Sequence, residues 1–165
     1  MAAPSYAIAS KASELKRRVI YVIEREVPEL APSVLYRLHT DTTCRLDDVT
    51  EPERFRLFEV IFETPNLGGD HWGESKNAYA TRFRVRMGYP LGAYEEIEGT
   101  EYLVDELKDH DFEQLDDVLE GGAPFAALDA DHPAIGDFKI IALEGQVDRG
   151  RVRETIYQID YDRTR

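Results

Sequence analysis

Three histidines stand directly beside a carboxylate: Asp70-His71, His110-Asp111, and His132 after Asp131, with Asp129 close by. An imidazole beside a carboxylate is the starting material for general acid–base catalysis and for binding transition metals. Either chemistry needs several such groups at fixed offsets, as ligands one helical turn apart or in paired short motifs. Here the histidines sit singly in separate stretches, with no HExxH and no second cysteine to partner Cys44. In a chain this acidic they read as surface histidines with acidic neighbours, and Cys44 as an inert structural thiol. The glycine pairs offer no phosphate cradle. Gly68-Gly69 lacks the GxxxxGK[ST] continuation, and Gly121-Gly122 follows a helical pattern where a phosphate loop would precede one. No GxSxG elbow occurs. The expectation is a protein with no catalytic residue, no metal site and no cofactor, and not an enzyme.

The organised chemistry is that of ion pairs. In residues 77–90, NAYATRFRVRMGYP, side chains alternate as they do along a strand. Tyr79, Thr81, Phe83, Val85, Met87 and Tyr89 point one way, and Ala80, Arg82, Arg84, Arg86 and Gly88 the other. One side is apolar and the other carries three guanidinium groups in a row. Two readings stay open. The polar side is simply wet, or the arginines pair with acidic strands or with another subunit. Glu59 and Glu63, or Glu154 and Asp160, are the candidate partners, at roughly 0.2–1 kcal/mol for each cross-strand pair. Desolvated between subunits, the same pairs would set register and exclude wrong partners. Arg82, Arg84, Arg86, Glu59 and Glu63 are therefore candidate interface residues.

The elements that would position them follow from periodicity. Ser10 or Ser13 can cap a helix running to Val27, where Pro28 stops it. Its stripe is Ala12, Leu15, Val19, Val22, Ile23 and Glu26, widened by Ile20 and Tyr21. Residues 1–9 read as a loose arm. Residues 34–39 suggest a short strand, 40–53 an acidic loop and 55–64 a strand with Phe58, Val60 and Phe62 on one face. The connection at 64–77 is long for a hairpin. It is bendable at Gly68-Gly69 and Gly73 and carries the only tryptophan, Trp72, as a partner contact or as a lid. Thr100 is a plausible cap for a helix bearing Leu103, Val104 and Leu107, with a break expected near His110. Asp111 and Gln114 have the spacing of a capping box for a second helix, which Gly121-Gly122 end. Residues 123–136 read as a loop, and 137–147 with 152–161 as a closing hairpin. Runs of strands with helices set apart predict an α+β fold: an antiparallel sheet of four to five strands packed by the N-terminal helix and one or two central helices.

At 165 residues, a single domain (1–165) is expected, able to bury about 70% of its unfolded surface. The net charge of −13 repels free polyanions, and the basic clusters Lys16-Arg17-Arg18 and Arg82/Arg84/Arg86 sit among acids. Specific DNA or RNA binding is disfavoured, whereas a wall past which nucleic acid slides is compatible. No apolar run approaches the ~20 residues of a membrane span and no signal-peptide layout is seen, so a cytoplasmic origin is expected.

In its order of elements, across residues 10–165, the chain resembles the tail-terminator (tail-completion) proteins of long-tailed bacteriophages. The resemblance is carried by ELKRRVIYVIE, FRLFEVIFET, ATRFRVRMGYP, VDELKDHDFEQLDDVLE and the hairpin DFKIIALEGQV with VRETIYQIDYDR. Members of that family are small α+β proteins that form a hexameric ring on the last ring of the tail tube. They stop its polymerisation and face the head-completion proteins. The resemblance implies a virion protein of tail or neck, assembled in the host cytoplasm. Its partners would be other copies of itself, the tail-tube protein and a head-completion or connector protein, with DNA passing through the ring. It implies no catalytic residue or cofactor. Another neck or minor tail ring protein, or a small cytoplasmic α+β enzyme or ligand-binding module, is the alternative.

Overall fold

The alternating arginine stretch forms the central strand of a sheet in the computed structural model, which describes residues 11–26, 37–38, 46–48, 56–63, 66–67, 78–90, 92–97, 99–120, 122–131, 133–134, 138–148 and 152–162. In chain order the elements are helix α1 (Lys11–Glu26), β1 (Arg37–Leu38), a 3-10 turn (Leu46–Asp48), β2 (Leu57–Phe62), β3 (Asn66–Leu67) and β4 (Ala78–Gly88). These are followed by β5 (Tyr94–Ile97), β6 (Thr100–Leu103), α2 (Val104–Glu120), a second 3-10 turn (Ala123–Phe125), β7 (Phe138–Asp148) and β8 (Val152–Asp162). The sheet runs β1-β2-β4-β8-β7, with β3 paired to β4 beyond the end of β2. All its pairings are antiparallel except that of β1 with β2. The fold is α+β, as its pattern of strand runs and separate helices predicts.

Register sorts the two faces of β4. Phe83 lies between Phe62 and Tyr157, Val85 between Val60 and Thr155, and Met87 between Phe58 and Arg153. The Phe83 ring stacks on Phe62 at 5.1 Å and on Tyr157 at 5.3 Å between centroids. Onto this face α1 packs Leu15, Val19, Ile20 and Ile23, and α2 packs Val104, Leu107, Leu115 and Leu119. Each such buried side chain contributes about 1.5–3 kcal/mol. α1 is less one-sided than its stripe suggests, because residues 18–23 are all buried. Even Arg18 is buried. Its guanidinium donates to the carbonyl oxygens of Pro133 at 2.7 Å, Pro124 at 3.4 Å and Ala126 at 3.5 Å, and to Glu14 at 2.8 Å. The segment after α2, read from the sequence as a loop, is thereby tied down onto α1.

Residues 99–120 differ from expectation. Thr100 caps no helix; residues 100–103 form β6, paired with β5 as a hairpin. Gly99, at φ 79°, supplies the left-handed backbone that the turn needs. Nor does the chain break at His110. α2 runs unbroken for 17 residues, and Asp111 lies inside it. Its carboxylate is taken by a distant guanidinium instead of capping a second helix. Arg56 Nη2 lies 2.9 Å from Asp111 Oδ1 and Nε 3.1 Å from Oδ2, and the Tyr89 hydroxyl donates to Oδ2 at 2.7 Å. Neither charged side chain is exposed. Gly122, at φ 73°, ends α2 and donates its N–H to Leu119 at 3.1 Å, the stop that the glycine pair predicts.

Several expectations fall outside the described residues: the arm at 1–9, Pro28, Cys44, His71, Trp72, His132 and Gly68-Gly69. Of the strand expected at 34–39, Arg37–Leu38 is described, and of the 64–77 connection, Asn66–Leu67.

Two outcomes follow from burial. Asp111→Leu leaves Arg56 charged in the interior without its counter-ion, and the urea-unfolding free energy should fall by about 3–5 kcal/mol. A loss below about 1 kcal/mol would show that the pair is dispensable. In α1, burial raises the Glu24 pKa above its ordinary value. An acid whose pKa is raised on folding opposes folding once ionised, so its penalty grows as pH rises through the folded pKa and vanishes below the unfolded one. Glu24→Gln should therefore stabilise the protein at neutral pH, with a margin that disappears in acid. A margin constant with pH would contradict this.

Candidate functional site

The face of the sheet opposite the helices carries the arginine row. Register places Arg86 directly between Glu59 of β2 and Glu154 of β8, Arg84 between Ile61 and Ile156, and Arg82 opposite Gln158. Period-two alternation on three strands puts these residues on one surface. Arg86 Nη1 reaches Glu59 Oε1 at 2.5 Å, its Nε lies 3.2 Å from Glu154 Oε2, and its Nη2 reaches Asp47 Oδ2 at 2.8 Å. Arg84 Nη2 reaches Glu63 Oε1 at 2.6 Å, and its Nη1 lies 3.4 Å from Glu154 Oε1. Glu154 thus bridges two guanidiniums in a ladder running along β4.

Burial falls along this ladder. Glu59 and Glu154 are buried, the Arg86 side chain is 12% exposed, that of Arg84 is 39% exposed, and Arg82 is exposed. The covered end lies under the Leu46–Asp48 turn, whose buried Leu46 donates its N–H to Glu59 Oε2 at 3.4 Å. Burial pulls the Arg86 pKa down, but hydrogen bonds to Asp47 and Glu59 outweigh it and the net direction is up. The hydrogen bond to Glu63 raises that of Arg84. Both guanidiniums therefore stay charged at neutral pH.

The structure therefore brings together five of the six candidate interface residues, Glu59, Glu63, Arg82, Arg84 and Arg86; Trp72 lies outside the described residues. Arg84 and Arg86 find their counter-ions within their own chain. Asp47 and Leu46 escaped the sequence reading because they sit in a stretch that reads as a polar loop. The single apolar residue among acids, Leu46 in RLDD, was the available signal.

The histidine neighbourhoods offer less. His110 Nδ1 lies 3.3 Å from Asp111 Oδ1, but that carboxylate already accepts from Arg56 and Tyr89. The cleft nearby, lined by Met87, Tyr89, Lys108, Phe112, Leu115, Arg153 and Thr155, holds about 10 Å³, room for one water. Asp129 accepts from the Asp131 N–H at 2.9 Å, a local turn. Among the described residues no group of three or more His, Cys, Asp or Glu is placed to hold a metal ion, and no helix is long and apolar enough to cross a membrane.

Arg86→Met removes the cation that separates buried Glu59 and Glu154. It should cost about 3 kcal/mol in urea unfolding, and adding Glu154→Gln should recover part of that loss. Strict additivity of the two substitutions would show that the residues are not coupled.

No protein-family model matches the chain, and no curated protein matches it either, so what the ladder is for has to be argued from its geometry.

Proposed function

We propose that this chain is a structural virion protein that assembles into a ring at the head-proximal end of a phage tail tube. There it ends tube growth and offers a docking face to head-completion proteins. The observation that carries the reading is the open end of the arginine ladder. A closed ring needs two different, complementary surfaces on each protomer. At the open end Arg82 is exposed, and Arg84, held by Glu63 and Glu154, is 39% exposed. They stand beside Ile61 and Ile156, both only partly buried, while Asp47 and Glu59 lie at the covered end. Cations next to apolar patches favour an acidic counterpart. The outer side of α2 supplies one, with Asp105, Glu106, Glu113, Asp117 and Glu120 all exposed. Carboxylates within the chain hold Arg84 in place beforehand, so docking would freeze little further motion of that side chain.

The order of helix, strand, long charged strand, helix and closing hairpin, shared with tail terminators, supports the same reading. So does the net charge of −13, which would let DNA pass through the ring without sticking. Self-association, the tail-tube protein and a head-completion or connector protein are the partners this role requires.

Native mass spectrometry and electron microscopy, with and without purified tail tubes, test the proposal. The wild type should form closed rings or cap tubes. Arg82→Glu with Arg84→Glu should weaken assembly by at least about tenfold in concentration. A wild type that stays monomeric and leaves tubes uncapped would sink the ring reading. Undiminished assembly of the double variant would move the interface away from the ladder.

A further inference from the structure

The β5–β6 hairpin forms a separate two-stranded sheet, off the main one. Its register pairs Tyr94 with Leu103, Glu95 with Tyr102, Glu96 with Glu101 and Ile97 with Thr100. Residues directly opposite share a face and successive pairs alternate. Tyr102 turns inward and packs against the core. The outward face therefore carries Tyr94, Leu103, Glu96 and Glu101, all of them exposed. Tyr94 at 58% and Leu103 at 37% are the exposed large hydrophobic residues among those described.

Two features of that face are unfavourable in water. An aromatic–aliphatic pair is left uncovered, and two carboxylates stand directly across from each other, an arrangement that destabilises a ladder. One kind of visitor relieves both: a cation between Glu96 and Glu101 with an apolar group against Tyr94 and Leu103. The ribbon is held in place for such a contact. The Val104 N–H donates to the Ala93 carbonyl at 2.9 Å across its base, and β6 runs directly into α2. Nucleic acid, a polyanion, is repelled from this acidic face, and in the ring proposed above the exposed guanidiniums of a second copy are taken up by α2.

We propose that the outward face of the β5–β6 hairpin is a docking site for a different protein, engaged through a segment that presents Lys or Arg beside an apolar residue. The site stands whether or not the protomers close into rings. The probe is a fluorescein-labelled dodecapeptide alternating Lys and Leu, titrated with the full chain and followed by anisotropy. Tyr94→Ser with Leu103→Ser, and separately Glu96→Lys with Glu101→Lys, should each weaken binding by about tenfold. Glu113→Lys with Asp117→Lys makes the same charge change on exposed positions of α2, and should alter binding by less than about twofold. All six positions are exposed, and an unchanged urea midpoint verifies each fold. Equal weakening by the α2 variant would reduce the effect to net charge and overturn the site, as would tight binding that survives loss of Tyr94 and Leu103. Sedimentation supplies the last check. If the hairpin variants dissociate an oligomer that the wild type forms, a second copy occupies the face and the proposal fails.

Discussion

The buried contact between Arg56 and Asp111 is the constraint on which the rest of the architecture turns. Arg56 stands just before β2 with φ at 54°, a left-handed conformation that costs an L-residue on the order of 1–2 kcal/mol. Its N–H donates to the Gly88 carbonyl at 2.8 Å, at the far end of β4, while its guanidinium reaches into the middle of α2. Three elements therefore meet at one residue, with Tyr89 closing the network from the residue after β4. A buried pair of this kind adds little net stability over a well-packed apolar substitute. Its effect is geometric. Asp111 faces the sheet and fixes the rotation of α2, which places Leu107, Leu115 and Leu119 against the core and leaves Asp105, Glu106, Glu113, Asp117 and Glu120 outside.

The sheet that α2 covers has two unlike sides, and β4 is the strand that belongs fully to both. On the helix side, stacked Phe62, Phe83 and Tyr157 make a dry layer that drives folding by burial. On the other side, charges alternate with isoleucines and are matched across strands by register. A row of arginines on a free surface would be flexible and heavily hydrated. Interleaved with Glu59, Glu63 and Glu154, it becomes a rigid pattern whose exposure grades from sealed under Leu46–Asp48 to open at Arg82. Rigid, partly dehydrated charge recognises shape and sign well while adding modestly to affinity.

The acidity of the chain is also unevenly spent. Some carboxylates neutralise guanidiniums, as Asp109 does for Arg153 at 2.6 Å and Asp116 accepts the Tyr157 hydroxyl at 2.9 Å, where burial pushes the phenol's pKa well up. Others stand in water along α2 and at the tip of the β5–β6 ribbon. That separation leaves one surface with paired charge and another with excess negative charge.

Strand alternation in residues 77–90, the helical stripe of α1 and the glycine stop after α2 were legible in the sequence because each is a short-range rule, set by which side a residue faces or which backbone angle it tolerates. The hairpin was missed because TEYL suits a helix start and a short strand equally, and only its pairing with YEEI and the inward turn of Tyr102 tip the balance. Asp111 was misread as a cap for a related reason. Its spacing to Gln114 is local, whereas its partner lies 55 residues away. By itself, then, the sequence determined the fold class, the two-sided character of the central strand and the excess of negative charge. Tertiary structure alone decided which carboxylate met which guanidinium and which apolar residues stayed outside, because those outcomes depend on register and packing between segments far apart in the chain.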